Sequence, residues 1–292
     1  MKLRIDEKFE THLVTTENFH EISYLVSNPD VAIAVIDGRV ESAFAHFLEY
    51  GQREARRQII PSQSDLELER SRLPASVPLS QIANHSNIKK LAQKLGCVEG
   101  VKFLEVGSRN VTGPSQIRNS IELAGGSYVG FDFYEGENVD VVGDAHKLSD
   151  YFDYKFDVVY SSAVFEHLAM PWVVATEIAK IMNVNASILV ETHFSYSSHE
   201  RPWHFFQFSD MGLRTLFSPA LGFRCIEAGM CNPMVGKFSA LADEYLRRKR
   251  INGLFCHSNL YAVKERDVPN FEWGSAGLQD IVGDTVYPAP KV

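Results

Sequence analysis

The chain has no run of about 18 uncharged apolar residues, so it offers no membrane-spanning helix. Its opening residues, MKLRIDEKFETHL, lack an apolar core of signal-peptide length. Cysteines number only four (Cys97, Cys225, Cys231 and Cys256), and none stands in a C-x-x-C pair. That spacing excludes the thiol-redox and zinc-ribbon patterns and leaves free thiols in a cytoplasmic protein as the expectation. Clustered Lys and Arg are missing apart from Arg247–Arg250, and the formal net charge is −8. No nucleic-acid partner is therefore expected, because phosphate neutralisation needs a basic patch. A G-x-G-x-x-G turn is also absent, which argues against a nicotinamide-dependent oxidoreductase. What remains is a 292-residue chain with 45% hydrophobic and 23% charged residues. That mix fits a soluble globular protein with one substantial domain and something small beside it.

The small part comes first. Residues 1–60 read as helical, with Asn28 and Pro29 opening one helix and Gly38 closing it. Ser42 is placed to cap a second helix that carries Phe44, Phe47 and Leu48 on one face and stops at Gly51. Residues 61–80, with Pro61, Pro74 and Pro78, read as a linker holding a short charged helix, DLELERSR. A helix follows from Gln81 to Gly96. From Val101 the pattern becomes strands alternating with helices: VKFLEVG, SYVGFDF, VDVVGDA, YKFDVVYSS, ASILVETHF, FRCIEAGM and HSNLYAVKER are strands. PSQIRNSIELAGG, PWVVATEIAKIMN and SDMGLRTLFSPALG are the helices between them. The expected architecture is α/β, a seven-stranded, mostly parallel sheet with helices on both faces. The tail 267–292 shows no periodicity and is expected to be irregular.

In such a sheet, ligands bind outside the carboxyl ends of the strands. The residues there are Glu105-Val106-Gly107-Ser108-Arg109-Asn110, Asp132-Phe133, Gly143-Asp144-Ala145-His146, Ser161-Ser162 with Phe165-Glu166-His167, and Thr192-His193. An acid closing the second strand can accept both hydroxyls of a ribose, and one after the third can accept from an exocyclic amine. Glycine at 107 lets the backbone approach a ligand closely.

In this order, FLEVGSRN, GFDFYEG, VVGDAHKL and FDVVYSSAVFEHLAMPWVVATEIAKIMN resemble the class I, Rossmann-like S-adenosylmethionine-dependent methyltransferases, in particular the type-11-like subgroup with an EH turn after the fourth strand. The resemblance covers most of residues 100–230 and makes 81–266 a methyltransferase domain. It implies S-adenosyl-L-methionine as cofactor and S-adenosyl-L-homocysteine as product. Glu105 and Gly107, with Ser108 and Arg109, would line the methionine moiety. Asp132 would bind the ribose beside Phe133, Asp144 and Ala145 would flank the adenine, and Ser161 would lie under the methionine end. Glu166 and His167 would lie at the mouth, with a simple helix cap as the alternative. The sequence departs from the family in its glycine loop, where Ser108–Thr112 separates Gly107 from Gly113.

After the fifth strand, THFSYSSHERPWHFFQFS is rich in histidine and aromatics. It resembles the region where many small-molecule and sugar methyltransferases place the acceptor. A hydroxyl acceptor gains from a base near neutral pH, so His193, then His204 and His199, are the candidate catalytic residues. Each is weighed against an ordinary core or surface role. No metal site is expected, since these histidines with Glu200 or Asp210 match no strong ligand spacing. Arg247–Arg250 reads as a solvated helix end. A further resemblance, YLVSNPDVAIAVIDGRVESAFAHFLEYGQREAR, is to a helical unit found beside bacterial glycan-biosynthesis domains. The expected activity is O-methylation of a sugar or other polar small molecule, and a homodimer is the expected assembly. The rivals are a non-catalytic scaffold of the same fold and a nucleic-acid methyltransferase. The latter would want an Asn/Asp-Pro-Pro-aromatic turn where Ser161-Ser162-Ala163-Val164 stands.

Overall fold

A computed structural model describes residues 11–59, 67, 70, 71, 73–75, 77, 79, 82–111 and 115–283. The charged helix expected within 65–72, Gly113 and the last nine residues of the tail fall wholly or largely outside them. Among the described residues, no helix is long and apolar enough to cross a membrane. The chain divides into two compact units, Met1–Leu73 and Pro74–Val292.

The first unit is not helical throughout. Strands β1 (Thr11–Leu13) and β2 (Arg57–Ile59) pair antiparallel and bracket helices α1 (Glu21–Ser27), α2 (Pro29–Ile36) and α3 (Ala43–His46). Ser42 caps α3 by accepting from the Ala45 N–H at 3.0 Å, and a π-helical turn, Phe47–Gly51, continues it. Asn28 precedes Pro29 but makes no cap bond: its Oδ1 accepts from Arg56 Nη1 at 3.3 Å while its Nδ2 donates to the Tyr24 and Arg57 carbonyls. Phe47 is buried with Tyr24, Val31 and Ala43, whereas Phe44 and Leu48 are exposed. The expected single apolar face therefore does not form: the turn after α3 rotates Leu48 away from the core.

The second unit is a seven-stranded sheet in the order β5-β4-β3-β6-β7-β9-β8. Its strands are β3 (Lys102–Val106), β4 (Ser127–Asp132), β5 (Val141–Val142), β6 (Phe156–Ser162), β7 (Met182–His193), β8 (Phe223–Lys237) and β9 (Arg250–Lys264). Strands β3 to β7 pair in parallel, and β9 runs antiparallel to both β7 and β8. Successive side chains alternate between the two faces. Phe103, Val158 and Leu189 point to one side with Ile88 and Ala92 of α4 (His85–Gly96) and Ile117 and Ile121 of α5 (Ile117–Leu123). Leu104, Val159 and Val190 point to the other, against α6 (Pro171–Lys180) and α7 (Asp210–Leu216). Burying each such aliphatic or aromatic side chain contributes about 1.5–3 kcal/mol, so both faces are strongly specified.

Several elements differ from the expectation. Helix α4 begins at His85, where Asn84 caps it, rather than at Gln81. The strand expected from VDVVGDA shrinks to Val141–Val142. Strand β7 begins at Met182, directly after α6, and β8 and β9 run past the sheet as a long hairpin. Arg247 and Arg248 stand in the connection of that hairpin, not at a helix end. Within 267–283 the tail is ordered. Phe271 and Trp273 pack on the core, Trp273 Nε1 donates to the Trp172 carbonyl at 3.0 Å, and α8 (Leu278–Val282) follows. Two aromatic residues supplied an anchor that periodicity could not show.

Candidate active site

The carboxyl ends of β3, β4, β6 and β7 lie on one edge of the sheet, and strand order reverses between β3 and β6. That reversal opens a crevice at the edge, which is where α/β sheets bind ligands. Gly107 begins the turn after β3 at φ +83°, and a Cβ there would overlap the Val164 side chain. Its glycine is thus demanded by the left-handed backbone and by Val164, not only by a ligand's approach. The Gly107 and Ser108 N–H groups donate to the Phe131 carbonyl at 2.8 and 3.1 Å, so the turn is pinned to the end of β4.

At that end, the Asp132 carboxylate accepts from the backbone N–H groups of Arg109 at 3.2 Å and Tyr134 at 3.1 Å. Arg109 Nε lies 3.6 Å from the same carboxylate, so this side chain pairs with the acid expected to hold a ribose. Phe133 is half exposed and lies 6.0 Å from Trp203, ring centre to ring centre. After β5, Asp144 caps the next turn through the His146 N–H at 2.9 Å and meets the His146 ring at 2.7 Å. Burial would raise its carboxyl, yet those contacts outweigh it and hold the group below the usual carboxylate range. Ala145 is buried beside it.

Glu105 is buried and points to the α4–α5 side. Tyr128 Oη donates to it at 2.5 Å, Asn138 Nδ2 donates to Tyr128 Oη at 2.9 Å, and Arg118 lies over the Tyr128 ring at 4.3 Å. Burial pushes the Glu105 carboxyl up to about 7 against the pull of Tyr128, Lys89 and Arg118. Ser108 and Ser161 are buried with their hydroxyl oxygens unpartnered. Ser108 Oγ packs against Gly130 of β4.

The other half of the edge is imidazole-rich. Glu166 stands in the turn after β6 and is fully buried, so it does not lie at the mouth of the crevice. Thr192 Oγ1 donates to its Oε2 at 2.6 Å, and its Oε1 lies 2.6 Å from His193 Nδ1, off the ring N–H direction. Burial would raise this carboxyl, but His193, Thr192 and a backbone N–H together lower it. His193 is itself only 8% exposed and stacks on Tyr196 at 4.6 Å. His199 donates from Nδ1 to the Ser197 carbonyl at 3.0 Å, which leaves Nε2 as the lone-pair nitrogen. The His199 N–H donates to His204 Nδ1 at 3.2 Å, which places the proton of a neutral His204 on Nε2, a buried atom without a hydrogen-bond partner. Burial, then the neighbouring His199 and His167, lower the His204 pKa. His167 donates from Nδ1 to the Trp203 carbonyl at 2.6 Å, and the rings of His167 and His199 are 4.9 Å apart. A depression of about 200 Å³, lined by Ser198, His204, Phe205, Phe206 and Gln207, opens beside them.

The same edge holds a pair not foreseen from the sequence. Glu191, buried at the end of β7, meets His85 Nδ1 through one oxygen and accepts from Asn259 Nδ2 at 2.9 Å through the other. Burial would raise Glu191, but His85 and Asn259 hold it low. The signal available was Asn84, whose cap places His85 at the start of α4, and the position of Glu191 at a strand end.

Residues 94–190 match the sequence profile of a family described as a methyltransferase domain. The chain carries a methyltransferase domain. Its cofactor is S-adenosyl-L-methionine, and the residues present fit that group: an acid at the end of β4, another just after β5, and a glycine turn after β3. Among solved structures, TehB from Haemophilus influenzae is 18% identical at a TM-score of 0.41, over 62% of this chain and 63% of that one. The chain thus spans less than two thirds of TehB. YcgJ from Bacillus subtilis is 13% identical at 0.44, over 63% of this chain and 100% of its own. A SAM-dependent methyltransferase from Archaeoglobus fulgidus is 17% identical at 0.45, over 61% and 92%. No curated protein sequence matches the chain.

Proposed function

We propose that the chain is an O-methyltransferase that acts on a sugar or another hydroxyl-bearing polar small molecule, as part of glycan or secondary metabolism. The observation that supports this reading is the division of one sheet edge into two halves. Acids suited to a nucleoside close β4 and follow β5, and the imidazoles of His167, His193, His199 and His204 stand beyond β6 and β7. The contact between Phe133 and Trp203 joins the two halves.

When bound, S-adenosylmethionine supplies an electrophilic methyl group. Asp132 would hold its ribose, displacing Arg109 from a long, partly exposed ion pair worth about 1 kcal/mol or less. Asp144 and Ala145 would flank the adenine, with Glu105, Gly107, Ser108 and Ser161 around the methionine end. The acceptor would lie against Trp203 and Phe205, whose exposed rings give a sugar an apolar face to cover and exclude water. His193, with His204 and His199 beside it, would take up the hydroxyl proton. Glu166 would act through His193, as a positioning residue.

The test is transfer of a labelled methyl group from S-adenosylmethionine to a panel of free sugars, nucleotide sugars and their amino and thiol analogues. The expected result is a methyl ether formed in step with S-adenosylhomocysteine, with His199→Ala lowering turnover about 10²-fold while cofactor affinity is kept. Methylation confined to amine or thiol acceptors would overturn the assignment.

A further inference from the structure

Glu166, His193 and His199 come from three segments (the turn after β6, the end of β7 and the loop beyond it), yet each offers a ligand atom within 4.8 Å of the others. Their arrangement is that of metal ligands more than of a hydrogen-bonded chain. Glu166 Oε1 and His193 Nδ1 are buried, 2.6 Å apart, and have no aligned hydrogen-bond partner. Two polar atoms placed side by side in this way, one on a carboxylate fully removed from water, are costly unless a cation lies between them. The outer contacts fit the same role. Thr192 fixes the second oxygen of Glu166, and the Ser197 carbonyl takes the Nδ1 proton of His199, presenting its Nε2 lone pair. Metal-ligating imidazoles are oriented by just such carbonyl contacts. Glu200, the acid the sequence suggested for a cluster, is 65% exposed and faces His167 at 3.6 Å instead.

We propose that Glu166, His193 and His199 bind one divalent transition-metal ion, of the zinc or iron(II) class. Two imidazoles and one carboxylate leave a coordination position open, as catalytic rather than structural sites do. Neighbouring ligands about 2.0–2.1 Å from an ion stand about 3 Å or more apart, so seating it opens the 2.6 Å pair by a few tenths of an ångström. The role of the ion rests on the O-methyltransferase reading, though its binding does not. With the acceptor hydroxyl in the open position, its proton passes to solvent. The oxygen lone pair then forms the C–O bond as the methyl–sulfur bond breaks and leaves its electrons on sulfur. His193 is in that case a ligand, not a free base.

The test uses the full chain, stripped with a chelator and titrated with Zn²⁺ and Co²⁺ separately, with bound metal counted and the cobalt spectrum recorded. One ion per chain is expected, with affinity at least tenfold weaker in Glu166→Gln and in His199→Ala; the latter changes a partly exposed loop residue and leaves the core intact. The cobalt spectrum should lack thiolate charge-transfer absorption. Cys256 lies 3.7 Å from His257 Nε2, and thiolate absorption would put the ion there and overturn the assignment. Failure of the stripped wild type to bind either ion, or equal affinity in His199→Ala, would overturn it as well. S-adenosylmethionine binding by the same stripped protein is measured in parallel. Retained cofactor binding with no metal binding rejects the ion alone, and the reverse rejects the cofactor assignment alone.

Discussion

Glu105 shows how one residue can couple the wall of the crevice to pH. Its carboxyl is pushed up to about 7 by burial, so the folded chain keeps a proton that the unfolded chain releases near 4.5. Stability from this group is therefore full below about pH 4.5 and is lost as pH rises through 7, by about 3 kcal/mol in all. Glu105→Gln removes the ionisation, so urea midpoints measured from pH 5 to 7.5 should fall less in the variant than in the wild type. Parallel slopes would count against the buried carboxyl. At Gly107, Ala must adopt φ +83° and overlap Val164. The left-handed backbone alone costs about 1–2 kcal/mol. Gly107→Ala should lower the Tm, and adding Val164→Ala should restore only part of the loss; full restoration would mean that the backbone is not strained. Residue identity at the strand ends was legible in sequence, because the rule that ligands lie there needs only strand positions. Which atoms meet was not. Glu166 reads as an exposed turn residue beside His167, and only the packed turn reveals it buried against His193.

Among the elements, α6 depends on a side chain from another part of the chain. Lys264, at the end of β9, is buried and donates from Nζ to the Ala179 and Met182 carbonyls at 2.6 and 2.9 Å and to Asp267 at 2.6 Å. It satisfies the Ala179 carbonyl at the C-terminal end of α6, where no intrahelical donor remains, and the Met182 carbonyl at the start of β7. Lys264→Met fills similar space without the donors and should cost about 3 kcal/mol in urea unfolding. A change under about 0.5 kcal/mol would show that water serves those carbonyls equally well. Strands β3, β4 and β6 and helix α6 were legible because their apolar patterns are bounded by Gly, Asp or Pro. The long arms of β8 and β9 were not, because Asn232, Pro233 and Gly236 interrupt the first arm and punctuate it like a loop. The two short strands of the first unit, three residues each, offered no period to detect.

For the molecule as a whole, the methyltransferase domain joins an acid-bearing half, proposed above to hold the nucleoside, and a histidine-lined half on one sheet edge. The pairing of β3 with β6 and β6 with β7 brings residues distant in sequence together there: His85 meets Glu191 across 106 positions. No sequence motif spans that distance, so the second carboxylate–imidazole pair emerges only from the folded sheet. The central claim is that this edge holds S-adenosylmethionine through Asp132. Calorimetric titration of S-adenosylmethionine and S-adenosylhomocysteine into the wild type and Asp132→Ala tests it most directly. Micromolar binding of both ligands by the wild type, weakened at least tenfold in Asp132→Ala, is the expected result. A folded wild type that binds neither ligand, or a variant that binds as tightly as the wild type, would contradict it.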